Sequence, residues 1–172
     1  MPGFELIGSE ELNQIKEIFE NGSVLYRSGF EEKRNNCFKV KEFENKFANY
    51  FSANNSLAVT SGTAALRVAL AALGIGENDE VITQSFTFVA TIEAIIESRA
   101  IPKCTEIDET LNMDPLDLEK KITPRTKAVI VVHMLGTPAR IHEIKEICLK
   151  HNLFLIEDTA WGCGGSLNNK KL

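Results

Sequence analysis

Ala128-Val129-Ile130-Val131-Val132 is an unbroken apolar run in which only Ala128 is not β-branched, bounded by Lys127 and His133. Side chains branched at Cβ favour extended chain. The lack of apolar–polar alternation means that neither face of the strand can be in water, so the run predicts an interior strand of a parallel sheet covered on both sides. Working outward, further short β-type runs occur at Leu57–Thr60, Val81–Thr83, Lys103–Ile107 and Leu153–Ile156. They alternate with helical patterns, as expected of strands joined by crossovers. The expected fold class is therefore α/β, with a three-layer, mostly parallel sheet.

The intervening segments carry helix signals. The segment after Thr63 is apolar on nearly every side, interrupted only by Arg67, and predicts a buried helix closed by Gly74. Ile92, Ile95 and Ile96 mark a helix after Phe88, and Asp114-Pro115 reads as an N-cap followed by proline in the first turn. Ile141, Ile144 and Ile147 form the stripe of the last crossover helix. Before the first strand, Leu12, Ile15, Ile18 and Phe19 share one helical face, with Gly22 as the stop. Val40, Phe43, Phe47 and Phe51 mark a second amphipathic helix. Between them, Asn21 to Asn36 reads as irregular, and Glu31-Glu32-Lys33-Arg34 as a solvated face. This organisation predicts a helical segment over residues 1–52 and βα repeats over 53–172.

Composition narrows the function classes. The chain has 172 residues, 44% hydrophobic and 25% charged, with a formal net charge of -5. A negative balance disfavours nucleic acid or an anionic membrane as the main partner. Acidic residues interrupt Met1 to Gly22, so no secretory core is expected there. Cys37, Cys104, Cys148 and Cys163 are widely spaced, which predicts ordinary buried thiols in a reduced, cytoplasmic protein. His133, His142 and His151 lack ligand-like partners at short spacing, so no metal site is expected.

In an open parallel sheet, ligands bind beyond the carboxyl ends of the strands. Three stretches qualify. Thr60-Ser61-Gly62-Thr63-Ala64-Ala65-Leu66 is a small-residue turn opening a helix. Unpaired amides and partial positive charge make such a terminus an anion seat, with an N-cap role for Ser61 or Thr63 as the rival reading. Gln84-Ser85-Phe86-Thr87-Phe88 offers a ring to cover a planar ligand, unless both phenylalanines belong to the core. Glu157-Asp158-Thr159-Ala160-Trp161 places carboxylates after a buried strand. Neighbours in extended chain face opposite ways, so Asp158 is assigned to the site and Glu157 to structural pairing.

Five blocks occur in order: Ser61-Gly62-Thr63-Ala64-Ala65-Leu66, Glu80-Val81-Ile82 through Phe86-Thr87-Phe88-Val89-Ala90-Thr91, Ile122-Thr123-Pro124-Arg125-Thr126-Lys127-Ala128, His133-Met134-Leu135-Gly136-Thr137-Pro138-Ala139, and Ile156-Glu157-Asp158-Thr159-Ala160. Together they resemble the DegT/DnrJ/EryC1/StrS family of pyridoxal-phosphate-dependent sugar aminotransferases. The resemblance implies part of the large domain of an aspartate-aminotransferase-type (fold type I) enzyme, with pyridoxal 5'-phosphate as cofactor. It implies that Gly62 and Thr63 hold the phosphate, that Phe88 stacks on the pyridine ring and that Asp158 pairs with the pyridinium nitrogen. Trp161 stands where family members often carry a polar residue near the cofactor, and reads either as a pocket residue or as packing after the strand.

The resemblance further implies transfer of an amino group, from glutamate, to a nucleotide-linked keto sugar for polysaccharide or glycan synthesis. The complete family protein is implied to be a homodimer, with Asn21 to Asn36 facing the partner. The family's Schiff-base lysine falls beyond Leu172, as do the remaining strands and the small C-terminal domain. Lys170 and Lys171 are assigned to a polar, solvated turn. No catalytic residue of this chain is therefore expected, and the 172 residues alone are expected to be inactive. The alternative is a non-catalytic truncated or complementing subunit. A Rossmann-type NAD enzyme would need Gly-x-Gly-x-x-Gly after the first strand, which is missing.

Overall fold

The computed structural model describes residues 3–172. The chain forms two compact units, one running to Ala58 and the other spanning Val59–Leu172. In the first, helices α1 (Ser9–Glu20) and α2 (Lys39–Tyr50) are tied by Lys39 Nζ, 2.6 Å from a Glu17 carboxylate oxygen. α1 buries none of its residues and α2 only Ala48, which leaves Leu12, Ile15, Phe19 and Phe43 at the surface. The expected solvated run ends on an exception. Arg34 is buried, donates to the Tyr26 carbonyl at 2.8 Å and lies 4.5 Å from the Phe38 ring centroid. The planar guanidinium can stack on an aromatic face, which a solvated reading of the charge run overlooks. Gly22 has φ +92, and a methyl group there would run into the Lys33 carbonyl, so the turn requires glycine.

The second unit is built on a four-stranded parallel sheet. Its strands are β1 (Glu80–Gln84), β2 (Ile101–Thr105), β3 (Thr126–Val132) and β4 (Phe154–Asp158), in the order β2-β1-β3-β4. Helices α4 (Val89–Glu97), α5 (Pro115–Lys121) and α6 (Ile141–Lys150) connect successive strands, and α3 (Gly62–Ala72) precedes β1. Alternation along β3 separates two cores. Ala128 and Ile130 pack with Leu66 and Leu70 of α3 and with Ala94 and Ile95 of α4. Val129 and Val131 pack with Leu118 of α5 and Ile144 of α6. The expected three-layer arrangement is thereby formed, with β3 fully buried over Ala128–Val131.

Several local expectations change. Leu57–Thr60 is not a strand, and Leu57 and Val59 are 56% and 38% exposed. A strand exists only within a ladder, and among the described residues nothing pairs with this one. β2 ends at Thr105 rather than Ile107, because its ladder with β1 stops at Gln84↔Thr105 and the Glu106 amide turns to the Asp117 carboxylate. β4 runs on to Asp158, paired with Val132.

The helix α3 buries Leu66 and Leu70, while Arg67 and Val68 are exposed, so its burial is one-sided. Composition cannot say whether a second layer covers a helix. Gly74, at φ +70, closes it as expected. Lys170 and Lys171 are exposed as assigned, but they form a strand, β6, rather than a turn, paired antiparallel with β5 (Ser166–Leu167) through Asn168 and Asn169, both at positive φ. The thiols also differ from expectation. Cys148 is buried, which raises its pKa to about 11, whereas Cys104 and Cys163 are exposed. Cys104 lies on the edge strand β2, and Cys163 in the loop after β4. Among the described residues no helix is long and apolar enough to cross a membrane.

At the amino ends of the strands, Glu80 is buried and accepts from Thr123 Oγ1 at 2.6 Å and Arg125 Nη2 at 2.6 Å, with Lys103 Nζ at 3.4 Å. The Thr123 hydrogen bond first, then Lys103 and Arg125, hold its pKa below the ordinary 4.5. A lowered folded-state pKa stabilises the fold above the unfolded value, and that contribution disappears as pH falls through the folded value. Glu80→Gln should therefore cost about 1–3 kcal/mol in urea denaturation near neutral pH. It should also flatten the loss of stability below pH 4.5.

Candidate cofactor site

β1 and β3 are neighbours while their crossovers run in opposite directions along the sheet. That reversal leaves a crevice at the carboxyl ends of the strands. A cavity of about 220 Å³ opens there, lined by Gly62 and Thr63 of α3, Thr87 and Phe88 after β1, and Asp158 and Trp161 at and after the end of β4. All five residues assigned to the site from sequence thus meet at one cavity. A larger hollow of about 440 Å³ lies beside α3, among Val68, Ala71 and the exposed Arg67–Glu97 pair. No strand end reaches it, so the smaller cavity is the chemically equipped one.

The anion seat has a clear hydrogen-bond ledger. Ser61 is the N-cap of α3, and its Oγ accepts from the Ala64 amide at 3.1 Å. The Ala65 amide donates to the Ser61 carbonyl. Gly62 and Thr63 remain with amides that no described residue engages, at the positive end of the helix dipole. Capping and anion binding are therefore compatible, because they use different amides. A methyl group on Gly62 would meet no atom of the chain within 4 Å. The space beside the Gly62 Cα is therefore open.

Asp158 is oriented from two sides. Its Oδ1 accepts from the Ala160 amide at 3.0 Å, and its Oδ2 from Thr91 Oγ1 at 3.3 Å. Thr91 is buried in α4 and lies 3.2 Å from Thr87 Oγ1. Sequence reasoning missed this threonine; its only local signal is a polar residue in the apolar stretch Val89-Ala90-Thr91-Ile92. Glu157 points away from the cavity and pairs with the buried His133 at 3.1 Å, as its structural assignment requires.

Phe88 is the N-cap residue of α4 and is 65% exposed, and Phe86 is also exposed, so neither belongs to the core. Buried Gln84 holds the turn that carries them. Its amide donates to the Phe86 carbonyl at 3.1 Å, and its Oε1 accepts from the Val132 amide at 3.1 Å. Trp161 is half exposed and lines the cavity, which favours the pocket reading over packing.

Residues 7–172 match the model of the DegT/DnrJ/EryC1/StrS aminotransferase family. The chain belongs to that family. It is 43% identical over 156 residues to the spore coat polysaccharide biosynthesis protein SpsC of Bacillus subtilis, covering 90% of this chain and 38% of that protein. It is 39% identical over 167 residues to the GDP-perosamine synthase of Vibrio cholerae, covering 96% of this chain and 43% of that one. Among solved structures, ntda from Bacillus subtilis with bound cofactor PMP superposes with a TM-score of 0.72 at 29% identity, over 89% of this chain and 34% of the other. The chain thus spans less than half the length of these relatives.

The division of amides at α3 is testable. Ser61→Ala should destabilise the unit by about 1 kcal/mol in urea denaturation, the usual cost of an N-cap. The Gly62 and Thr63 amides should stay open, so phosphate-ester affinity should change far less than in Gly62→Val, which fills the seat.

Proposed function

We propose that this chain is the cofactor-binding, N-terminal part of a pyridoxal-phosphate-dependent aminotransferase. Its reaction moves an amino group, with glutamate as donor, to a nucleotide-linked keto sugar in polysaccharide or glycan biosynthesis. The observation that carries the reading is the pairing, across one cavity, of two unengaged helix amides with a carboxylate fixed at a strand end. The names of the relatives support the substrate class, since the one from Vibrio cholerae is a GDP-perosamine synthase and the one from Bacillus subtilis a spore coat polysaccharide biosynthesis protein.

The residues present fit the cofactor. When bound, pyridoxal phosphate supplies a ring that accepts electrons from the substrate carbon losing a proton. The Gly62 and Thr63 amides bind the phosphate, and the Thr63 hydroxyl adds a donor. Asp158, kept acceptor-ready by Thr91 and Ala160, holds a proton at the pyridine nitrogen. Phe88, which lines the cavity, would supply an apolar cover for the ring. Among the described residues no lysine lines the cavity, so the residue that would carry the Schiff base and move the substrate proton is assigned to a segment outside these 172 residues. In the complete protein we expect a cytoplasmic homodimer.

Trp161 is the only tryptophan and lines the cavity, so it reports occupancy. Pyridoxal phosphate should quench its fluorescence saturably, and Asp158→Ala or Gly62→Val should weaken that binding about tenfold or more. Incubation with pyridoxal phosphate and glutamate should give no turnover, and borohydride should trap no lysine adduct at the site. A lack of quenching would overturn the cofactor reading, and turnover would overturn the assignment of the lysine elsewhere.

A further inference from the structure

We propose that His133 is a positioning residue for the Asp158 carboxylate, a role that rests on the cofactor reading above. His133 follows β3 directly and is completely buried. Its backbone amide donates to the Asp158 carbonyl at 3.1 Å, adding one bond to the ladder beyond Val132↔Asp158. Its Nδ1 accepts the Ala139 amide proton at 3.0 Å. A nitrogen that accepts carries no hydrogen, so the neutral ring bears its proton on Nε2. Nε2 therefore donates to the Glu157 carboxylate at 3.1 Å. Both ring nitrogens are engaged, one by the loop after β3 and the other by the neighbour of Asp158.

The segment after Asp158 also passes close to His133 Cβ. A methyl group on Gly162 would come within 3.3 Å of His133 Cβ, and the Gly162 amide closes a turn on the Thr159 carbonyl at 3.0 Å. That turn contains Ala160, whose amide holds Asp158 Oδ1, and Trp161, which lines the cavity. Loss of the imidazole frees Glu157, the neighbour of Asp158, and the Ala139 end of the loop after β3, while the Cβ contact with Gly162 survives in an asparagine. The donor that orients Asp158 Oδ1 then shifts, and the carboxylate leaves the direction in which Thr91 holds Oδ2. No shorter side chain replaces the ring: an asparagine can accept from Ala139 but cannot also reach Glu157.

The test uses the 172-residue chain with pyridoxal phosphate labelled with ¹⁵N in its ring. In the wild type, nitrogen-detected NMR of the histidine ring should show a neutral His133 with a slowly exchanging Nε2–H, with or without cofactor. His133→Asn should weaken cofactor binding about tenfold and move the ring-¹⁵N signal of the bound cofactor toward the unprotonated position. Glu157→Ala should do the same, whereas Glu157→Gln, which keeps an oxygen acceptor for Nε2–H, should stay near the wild type. Ile144→Val, a core truncation on α6, controls for general loss of stability and should leave the ¹⁵N signal unmoved.

A His133 proton on Nδ1, a wild-type ¹⁵N signal in His133→Asn, or an equal shift in Ile144→Val would each overturn the positioning role. Wild-type chain that shows the Nε2–H tautomer but binds no pyridoxal phosphate would instead overturn the cofactor reading, and the positioning role with it.

Discussion

The structure depends on β3 being hydrogen-bonded along both edges and buried on both faces. Its backbone groups are satisfied by β1 on one side and β4 on the other, so five apolar residues can sit in the interior without leaving an orphaned amide or carbonyl. Its side chains alternate between two cores, one shared with α3 and α4 and the other with α5 and α6. Remove that strand and the two helical layers have nothing to pack on. The same strand sets the site, since Val132 lines the cavity and its register with β4 fixes where Asp158 emerges.

The cavity then follows from the ends of these elements. Parallel strands bring their carboxyl ends to one edge of the sheet, and α3 points its amino end there as well. Charge is arranged accordingly: open amides of α3 line one part of the cavity and a carboxylate lines another. Buried polar side chains hold the connecting turns. Gln84 bridges the Phe86–Phe88 turn to β3, Thr91 reaches Asp158, and His133 spans the loop after β3 and Glu157. Each makes a hydrogen bond in place of a contact with water, which would otherwise be lost at a net cost. The opposite end of the sheet uses the same device for stability alone, where Glu80 gathers Thr123, Lys103 and Arg125.

Much of this was legible in the residues. The apolar run at Ala128–Val132 implied the covered parallel sheet, and the blocks around Gly62, Phe88 and Asp158 marked the strand ends that line the cavity. Asp158 could be chosen over Glu157 because alternation along a strand is a local property. Thr91 could not be chosen, because its partner lies 67 positions away and a lone polar residue in an apolar helix stretch does not say what it reaches. Leu57–Thr60 shows the converse. Its composition suits a strand, but pairing requires a second chain segment at hydrogen-bond distance, and composition carries no record of one.

What the sequence by itself determined is whatever depends on neighbours within a few residues: the α/β alternation, the caps at Ser61 and Asp114, the turn at Gly74, and the family to which the ordered blocks belong. Tertiary structure alone decided which of these features meet. It left one face of α3 exposed, buried Arg34, turned Lys170 and Lys171 into a hairpin strand, and set His133 against Glu157. The physical reason is that propensity and periodicity act through the local backbone, whereas burial and hydrogen-bond partners depend on segments far apart in the chain.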